Sequence, residues 1–148
     1  MLPRTNGTRL VPINFHWMCQ VLDPTFGCFL GAGTALPGLV SARLRARTVT
    51  LTDQADPPQI LANCQQNVAL NPGAENPAVV VEPLPWGDYT SATLQRLARE
   101  PPDLMIGADC LYDAAEFENL ISTVAYLLDH RPEARFLTVY QNRSVNNF

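Results

Sequence analysis

The feature that most constrains the fold is an apolar run that enters a glycine turn, followed by a second apolar run that ends on a carboxylate. The first stretch is 29–38, in which Gly31 and Gly33 flank Ala32, and the second ends at Asp53. Glycine reaches positive φ without a Cβ clash, so such a turn lets the backbone pass close under a ligand. Asp53 follows Gly33 by 20 residues (53 − 33 = 20), the separation of one β-α-β unit. An acid at that place accepts hydrogen bonds from ribose hydroxyls, so the pattern predicts a nucleoside-binding crevice in a parallel α/β sheet.

The spacing of the glycines indicates which kind of nucleoside fits. A dinucleotide fingerprint has a third glycine three residues after the second, but this chain has Leu36 there and its next glycine is Gly38. A pyrophosphate needs a bared helix N-terminus, whereas a ligand without phosphates, such as S-adenosylmethionine (SAM), does not. The turn alone is equally compatible with a connection that binds nothing. Asp53 favours the nucleoside, and the spacing disfavours a nicotinamide or flavin cofactor.

Segments with strand and helix periodicity alternate along the chain. This alternation predicts a Rossmann-like, doubly wound α/β fold, with a mostly parallel sheet, helices on both faces and right-handed crossovers. We expect an N-terminal arm over 1–24 and the domain over 25–148. The predicted strands are 25–30, 47–52, 78–82, 103–107 and 135–140, and the predicted helices are 36–44, 57–70, 91–99 and 114–128.

Composition excludes several classes of function. The net charge is −4 and the ten basic residues, all arginine, are spread along the chain, which argues against direct binding to a nucleic-acid backbone. Four cysteines without a CxxC pair and two distant histidines predict no metal site and reduced, mostly buried thiols. No apolar run reaches membrane-spanning length and no signal peptide is visible, so we expect a protein of the cytoplasm or nucleus.

Three polar or aromatic residues beside the predicted crevice have open interpretations. Trp86 follows the predicted third strand, where it either stacks on a purine face or packs as a core residue at the sheet edge. Asn63 and Asn67 lie one turn apart on the predicted second helix. They either face the glycine turn or lie in solvent or packing, and the second interpretation is favoured.

Asp109 follows a buried central strand, and Tyr112 comes three residues later. Charges avoid such places unless they are paired or functional. Asp109 is therefore a candidate to hold a cationic amine or guanidinium, with Tyr112 as a wall of the channel. The alternative role is a helix N-cap, for which Asp113 is the better candidate.

Six stretches, in this order and spacing, resemble the motifs of the seven-β-strand protein methyltransferases, which methylate lysine or arginine side chains of other proteins. The stretches are 30–34, 36–40, 50–53, 86–87, 108–112 and 140–144. The last of them is most similar to the histone-arginine methyltransferases of this family. The resemblance therefore implies SAM as cofactor, a protein substrate such as a histone tail, and a monomer in the nucleus and cytoplasm.

The resemblance also implies roles for individual residues. Asp109 and Tyr112 fall in the Asp-x-x-Tyr motif that faces the substrate side chain, and so are the implied catalytic residues. The implied cofactor contacts are the backbone of Gly31, Ala32 and Gly33 under the methionine part of SAM, Asp53 on the ribose, Trp86 against adenine, and Ala108 at the end of the fourth strand.

The chain departs from the family pattern at three places. Phe29 occupies the position of an acid, residues 16–19 resemble an N-terminal Trp-Pro-Cys stretch but lie too close to Gly31, and the family continues beyond 143–144. We therefore expect the first five strands of a seven-strand fold. Arginine methylation is the expected activity, with lysine as the alternative acceptor and a shortened, catalytically inactive binding module as the alternative of another class.

Overall fold

The computed structural model describes residues 26–71 and 78–139, in which strands and helices alternate. The strands are β1 (Phe26–Leu30), β2 (Thr48–Asp53), β3 (Ala78–Pro83), β4 (Leu104–Ala108) and β5 (Arg135–Val139). The helices are α1 (Leu36–Arg43), α2 (Gln59–Ala69), α3 (Ala92–Arg99) and α4 (Phe117–His130), with a 3-10 turn at Ala114–Glu116. The five strands and four helices confirm the predicted alternation.

The strands form one sheet in the order β3-β2-β1-β4-β5, and every neighbouring pair is parallel. Leu30 pairs with Thr52, and Asp53 pairs with Pro83, so the ends of β1, β2 and β3 are level. β2 and β3 lie on one side of β1, and the later strands β4 and β5 lie on its other side. Ligands of open α/β sheets bind where the strand order reverses, beyond the carboxyl ends of the strands.

Helices cover both faces of the sheet, as the sequence predicts. Because successive side chains of a strand point to opposite faces, Cys28 and Leu30 of β1 belong to the core shared with α3 and α4, whereas Phe29 belongs to the core shared with α1 and α2. All five residues of β1 are buried. A fully buried leucine such as Leu30 contributes on the order of 2 kcal/mol, so burial of the central strand stabilises the sheet. The thiols of Cys28, Cys64 and Cys110 are free and buried.

The start and end of α4 differ from the prediction. Asp113 accepts a hydrogen bond from the N–H of Ala115 (3.0 Å) and so caps a 3-10 turn, which delays the α-helix from position 114 to 117. The helix continues past 128 to His130, because the residue before Pro132 is the first to be disfavoured in helical geometry. The interpretation of Asp113 as the cap is confirmed.

Several predictions concern residues outside the described part of the chain: the arm over 1–24, the stretch 16–19 and the motif 140–144. Within 26–71 and 78–139, no helix combines the length and the apolar character that a membrane crossing requires.

Candidate functional site

The turn after β1 needs both of its glycines. Gly31 and Gly33 have φ of 63° and 53°, in the left-handed region. A Cβ on Gly31 would lie only 2.9 Å from the Sγ of Cys110, whereas one on Gly33 would meet nothing within 4 Å. The N–H of Ala32 donates to the carbonyl of Thr52 (2.9 Å), which fastens the turn to β2. The backbone of Gly33 is consequently open to a ligand.

The carboxylate of Asp53 joins the glycine turn to the end of β2. Its Oδ2 accepts a hydrogen bond from the N–H of Gly33 and its Oδ1 accepts one from the N–H of Gln54, both at 2.8 Å. Each carboxylate oxygen has two acceptor positions, so one on each oxygen remains for a ligand. The proximity of Asp53 and Gly33 that the 20-residue spacing predicts is present.

Trp86 lies between the core and the glycine turn. The half-buried side chain packs against the core on the α3–α4 face of the sheet, and its Cζ2 lies 3.4 Å from the position of a Cβ on Gly31. The indole Nε1 is buried and has no hydrogen-bond partner among the described residues. An unsatisfied buried donor costs about 1–3 kcal/mol, and an acceptor on a ligand would remove that cost.

Asp109 and Tyr112 follow β4, which lies on the opposite side of β1 from β2 and β3. Asp109 has φ of 57°, and its N–H donates to the carbonyl of Val139 (2.6 Å). The side chain of Tyr112 is 68% exposed. The short bond to β5 fixes the backbone from which the carboxylate of Asp109 extends.

Two adjoining cavities bring the predicted residues together. The large cavity has a volume of about 580 Å³ and the small cavity about 270 Å³. Ala32 lines the small cavity together with Phe29, which stands at the position of the expected acid. The other predicted residues line the large cavity: Gly31, Gly33, Asp53, Trp86, Ala108, Asp109 and Tyr112.

Other residues of the large cavity are absent from the sequence prediction. They are Gln54, Ile60, Leu84, Pro85, Cys110, Glu116 and Asn119. Two of them could have been predicted from the sequence. The helix after β4 begins at the ligand edge of the sheet, and Glu116 and Asn119 lie at its start. Asn67 is a correction: its amide donates to the carbonyl of Thr34 in the glycine turn (3.0 Å), so it does not simply face solvent. Asn63 is exposed.

The large cavity is acidic. Asp53, Asp109 and Glu116 line it, and no lysine, arginine or histidine of the described residues does. Burial raises the pKa of the Cys110 thiol to about 11, with the charges of Asp53 and Asp109 adding to the effect. The neutral thiol donates to the carbonyl of Leu30 (3.0 Å). The negative charge of the three carboxylates in the large cavity favours a cationic ligand over a phosphate. Within 26–71 and 78–139, no three side chains of His, Cys, Asp or Glu are placed so that together they could hold a metal ion.

A family model described as lysine methyltransferase matches residues 28–148. The chain belongs to this family. It is 34% identical to histone-arginine methyltransferase METTL23 of Xenopus laevis over 117 residues, which cover 79% of this chain and 47% of that protein. It is 33% identical to protein N-lysine methyltransferase METTL21A of Danio rerio over 127 residues, covering 77% and 55%. The chain thus spans about half the length of these curated relatives, and the family resemblance of the sequence is confirmed.

A solved structure supports the fold independently. Ribosomal protein L11 methylase from Lactobacillus delbrueckii subsp. bulgaricus superposes with a TM-score of 0.54 at 17% identity, covering 84% of this chain and 58% of that one. At this identity the likeness concerns the fold alone, and it confirms the Rossmann-like, parallel α/β architecture.

Proposed function

We propose that this chain binds SAM and transfers its methyl group to an arginine side chain of a protein such as a histone, in the nucleus and cytoplasm. The observation that carries the proposal is the large cavity at the carboxyl edge of the sheet. It gathers a glycine turn, the ribose-type acid Asp53, Trp86 and the pair Asp109 and Tyr112. The curated relatives named histone-arginine methyltransferase favour arginine as the acceptor.

The residues present fit SAM in size and charge. Ligand cavities of about 300–1,000 Å³ hold molecules of this size, and the large cavity has about 580 Å³. The open backbone at Gly33 and the remaining acceptor positions of Asp53 suit the nucleoside part. Three acids and no basic residue of the described chain suit a sulfonium cation better than a phosphate. The same residues suit a dinucleotide poorly.

The chemistry requires alignment more than proton transfer. SAM, when bound, supplies a methyl group on a positively charged sulfur. In the proposed reaction the acceptor nitrogen would take this methyl group in line with the sulfur, the thioether would be the leaving group, and one proton of the nitrogen would pass to solvent. Holding the two reactants in line supplies much of the rate. Asp109 holds the cationic side chain by charge and hydrogen bonding, which also stabilises the developing charge, and Tyr112 forms the wall of the acceptor channel.

Lysine is the second candidate acceptor. The family model is described as lysine methyltransferase, and METTL21A is a protein N-lysine methyltransferase. A single carboxylate such as Asp109 pairs with either an ammonium or a guanidinium group. The arrangement of the large cavity suits both cations.

The test has two stages. Calorimetry of the purified chain with SAM, with NADH as the comparison ligand, should give micromolar binding for SAM and no heat for NADH. Mass spectrometry should then detect methylation of a histone peptide, and a matched peptide with lysine at the acceptor position separates the two candidates. SAM binding without transfer to either peptide would support the inactive binding module. A chain that is folded by circular dichroism and binds no SAM would overturn the proposal.

A further inference from the structure

The turn that carries Trp86 is held by α4, far away along the chain. Within the turn, the bond from the N–H of Asp88 to the carbonyl of Pro85 is long, at 3.4 Å. The N–H of Gly87 instead donates to the hydroxyl of Thr123 at 2.8 Å, across 36 residues of sequence. The position of the turn therefore depends on a side chain of α4.

The hydroxyl of Thr123 is held in one orientation. Its side chain is fully buried, and its hydroxyl donates to the carbonyl of Asn119 at 2.8 Å. That bond uses the single hydroxyl proton, so the oxygen can only accept from Gly87. The Thr123 hydroxyl thus links the backbone of α4, at the carbonyl of Asn119, to the backbone of the turn, at the N–H of Gly87.

The turn also packs directly on α4. Gly87 has φ of 77°, and a Cβ there would lie 2.7 Å from the Oδ1 of Asn119. A side chain at position 87 would therefore have to displace the side chain of Asn119, on a backbone that L residues rarely adopt. Because Gly87 has no Cβ and its N–H binds the hydroxyl of Thr123, the turn is held in one position against α4.

We infer that Thr123 is the positioning residue that places Trp86 over the large cavity. Thr123 thereby determines the affinity of this cavity for adenine nucleosides. The indole Nε1 has no hydrogen-bond partner in the described part of the chain, so the place of the ring depends on packing and on the backbone of its turn. The half of this inference that concerns adenine rests on the proposed function. The half that concerns the position of Trp86 does not.

The test uses Trp86 as its own probe. The chain has two tryptophans, so a Trp17→Phe background leaves Trp86 as the sole tryptophan. Thr123→Val removes the hydroxyl at nearly constant shape, and Thr123→Ser keeps it. Ser122→Ala is the matched control, because the Oγ of Ser122 donates to the same carbonyl of Asn119 (3.0 Å) but lies outside the contact with the turn.

We expect Thr123→Val to increase acrylamide quenching of Trp86 about twofold and to weaken SAM binding about tenfold, the effect of leaving one buried donor unsatisfied. Thr123→Ser should restore both values, and Ser122→Ala should change neither. A folded Thr123→Val variant with the quenching and SAM affinity of Ser122→Ala would overturn the inference.

Gly87→Ala approaches the same contact from the turn. If Thr123→Val does not fold, Gly87→Ala should show the same increase in quenching and the same loss of affinity, and unchanged quenching in that variant would overturn the inference. A folded parent that binds no SAM would overturn the proposed function alone. The quenching of Trp86 then decides whether Thr123 positions it.

Discussion

Acidic side chains occupy both ends of the parallel sheet, but their surroundings differ. At the amino end, Asp103 precedes β4, its Oδ2 accepts a hydrogen bond from the N–H of Phe26 (2.7 Å), and it forms an ion pair with Arg131. At the carboxyl end, Asp53 and Asp109 line the large cavity, which no basic residue of the described chain lines.

We expect the acid at the amino end to serve folding and the two acids at the carboxyl end to serve binding. Asp103 also donates its N–H to the carbonyl of Phe26 and accepts from the N–H of Arg135 through its own carbonyl, so it ties together the starts of β1, β4 and β5. Its charge is compensated and stabilises the fold. The carboxylates at the other end share one cavity, where like charges oppose each other. We expect their contribution to appear when a cationic ligand binds in this cavity.

The largest expected effect is on catalysis, from Asp109→Asn. Asparagine tolerates the left-handed backbone at this position and retains the shape of the side chain but not its charge. Methyl transfer should fall by about 10²–10³-fold, with the Kd for SAM changed less than about threefold. Single-turnover assays and calorimetry measure the two values.

Asp113→Asn is the matched control, because asparagine caps a helix as well as aspartate does and the same change of charge occurs four residues away. Equal rates for the two variants would remove Asp109 from the site.

Asp53→Ala should weaken SAM binding about 100-fold, because charge-assisted hydrogen bonds to the ribose contribute about 1.5–3 kcal/mol each. Stability should change little, since water can replace the lost bonds to the partly exposed N–H groups of Gly33 and Gln54. Calorimetry and urea unfolding test both expectations. Asp129→Ala, an exposed acid on α4, is the control, and a Kd for Asp53→Ala that equals the control value would contradict the assignment.

Asp103→Ala should show the reverse pattern. The buried strand start at Phe26 loses its acceptor, so the free energy of unfolding should fall by about 2 kcal/mol, while the Kd for SAM of the folded protein stays the same. Urea titration measures the first value and calorimetry the second. The exposed Glu100 supplies the control Glu100→Ala. If Asp103→Ala instead weakened SAM binding at unchanged stability, the two ends of the sheet would not differ in role.

The smallest effect is expected for Arg131→Ala. Its side chain is 40% exposed, and an ion pair of that kind contributes about 1 kcal/mol or less, reduced further by salt. The hydrogen bond from Phe26 to Asp103 remains in this variant. A double-mutant cycle of Arg131→Ala with Asp103→Ala, at low and high salt, isolates the ion pair. A coupling energy independent of salt would show that the contact is not principally electrostatic.

Much of the fold was predictable because periodicity is a local property. The alternation of apolar residues placed all five strands and four helices within a few residues of their observed positions. The error at α4 arose because the cap at Asp113 begins a 3-10 turn, and periodicity does not separate that turn from an α-helix. The meeting of Gly33 and Asp53 was predictable because one β-α-β unit connects them.

The order of strands and helices along the chain is enough to predict which residues reach the carboxyl edge of the sheet, since parallel strands bring their ends to one edge. The contacts between distant residues depend on how the chain folds: Thr123 with Gly87, Cys110 with Leu30 and Asn67 with Thr34. These contacts join residues 33 to 80 positions apart. Periodicity states which side of an element is buried, whereas strand order and helix packing choose its partner. For this reason the proximity of Asp53 to Gly33 could be predicted from spacing, whereas the contact of Thr123 with Gly87 could not.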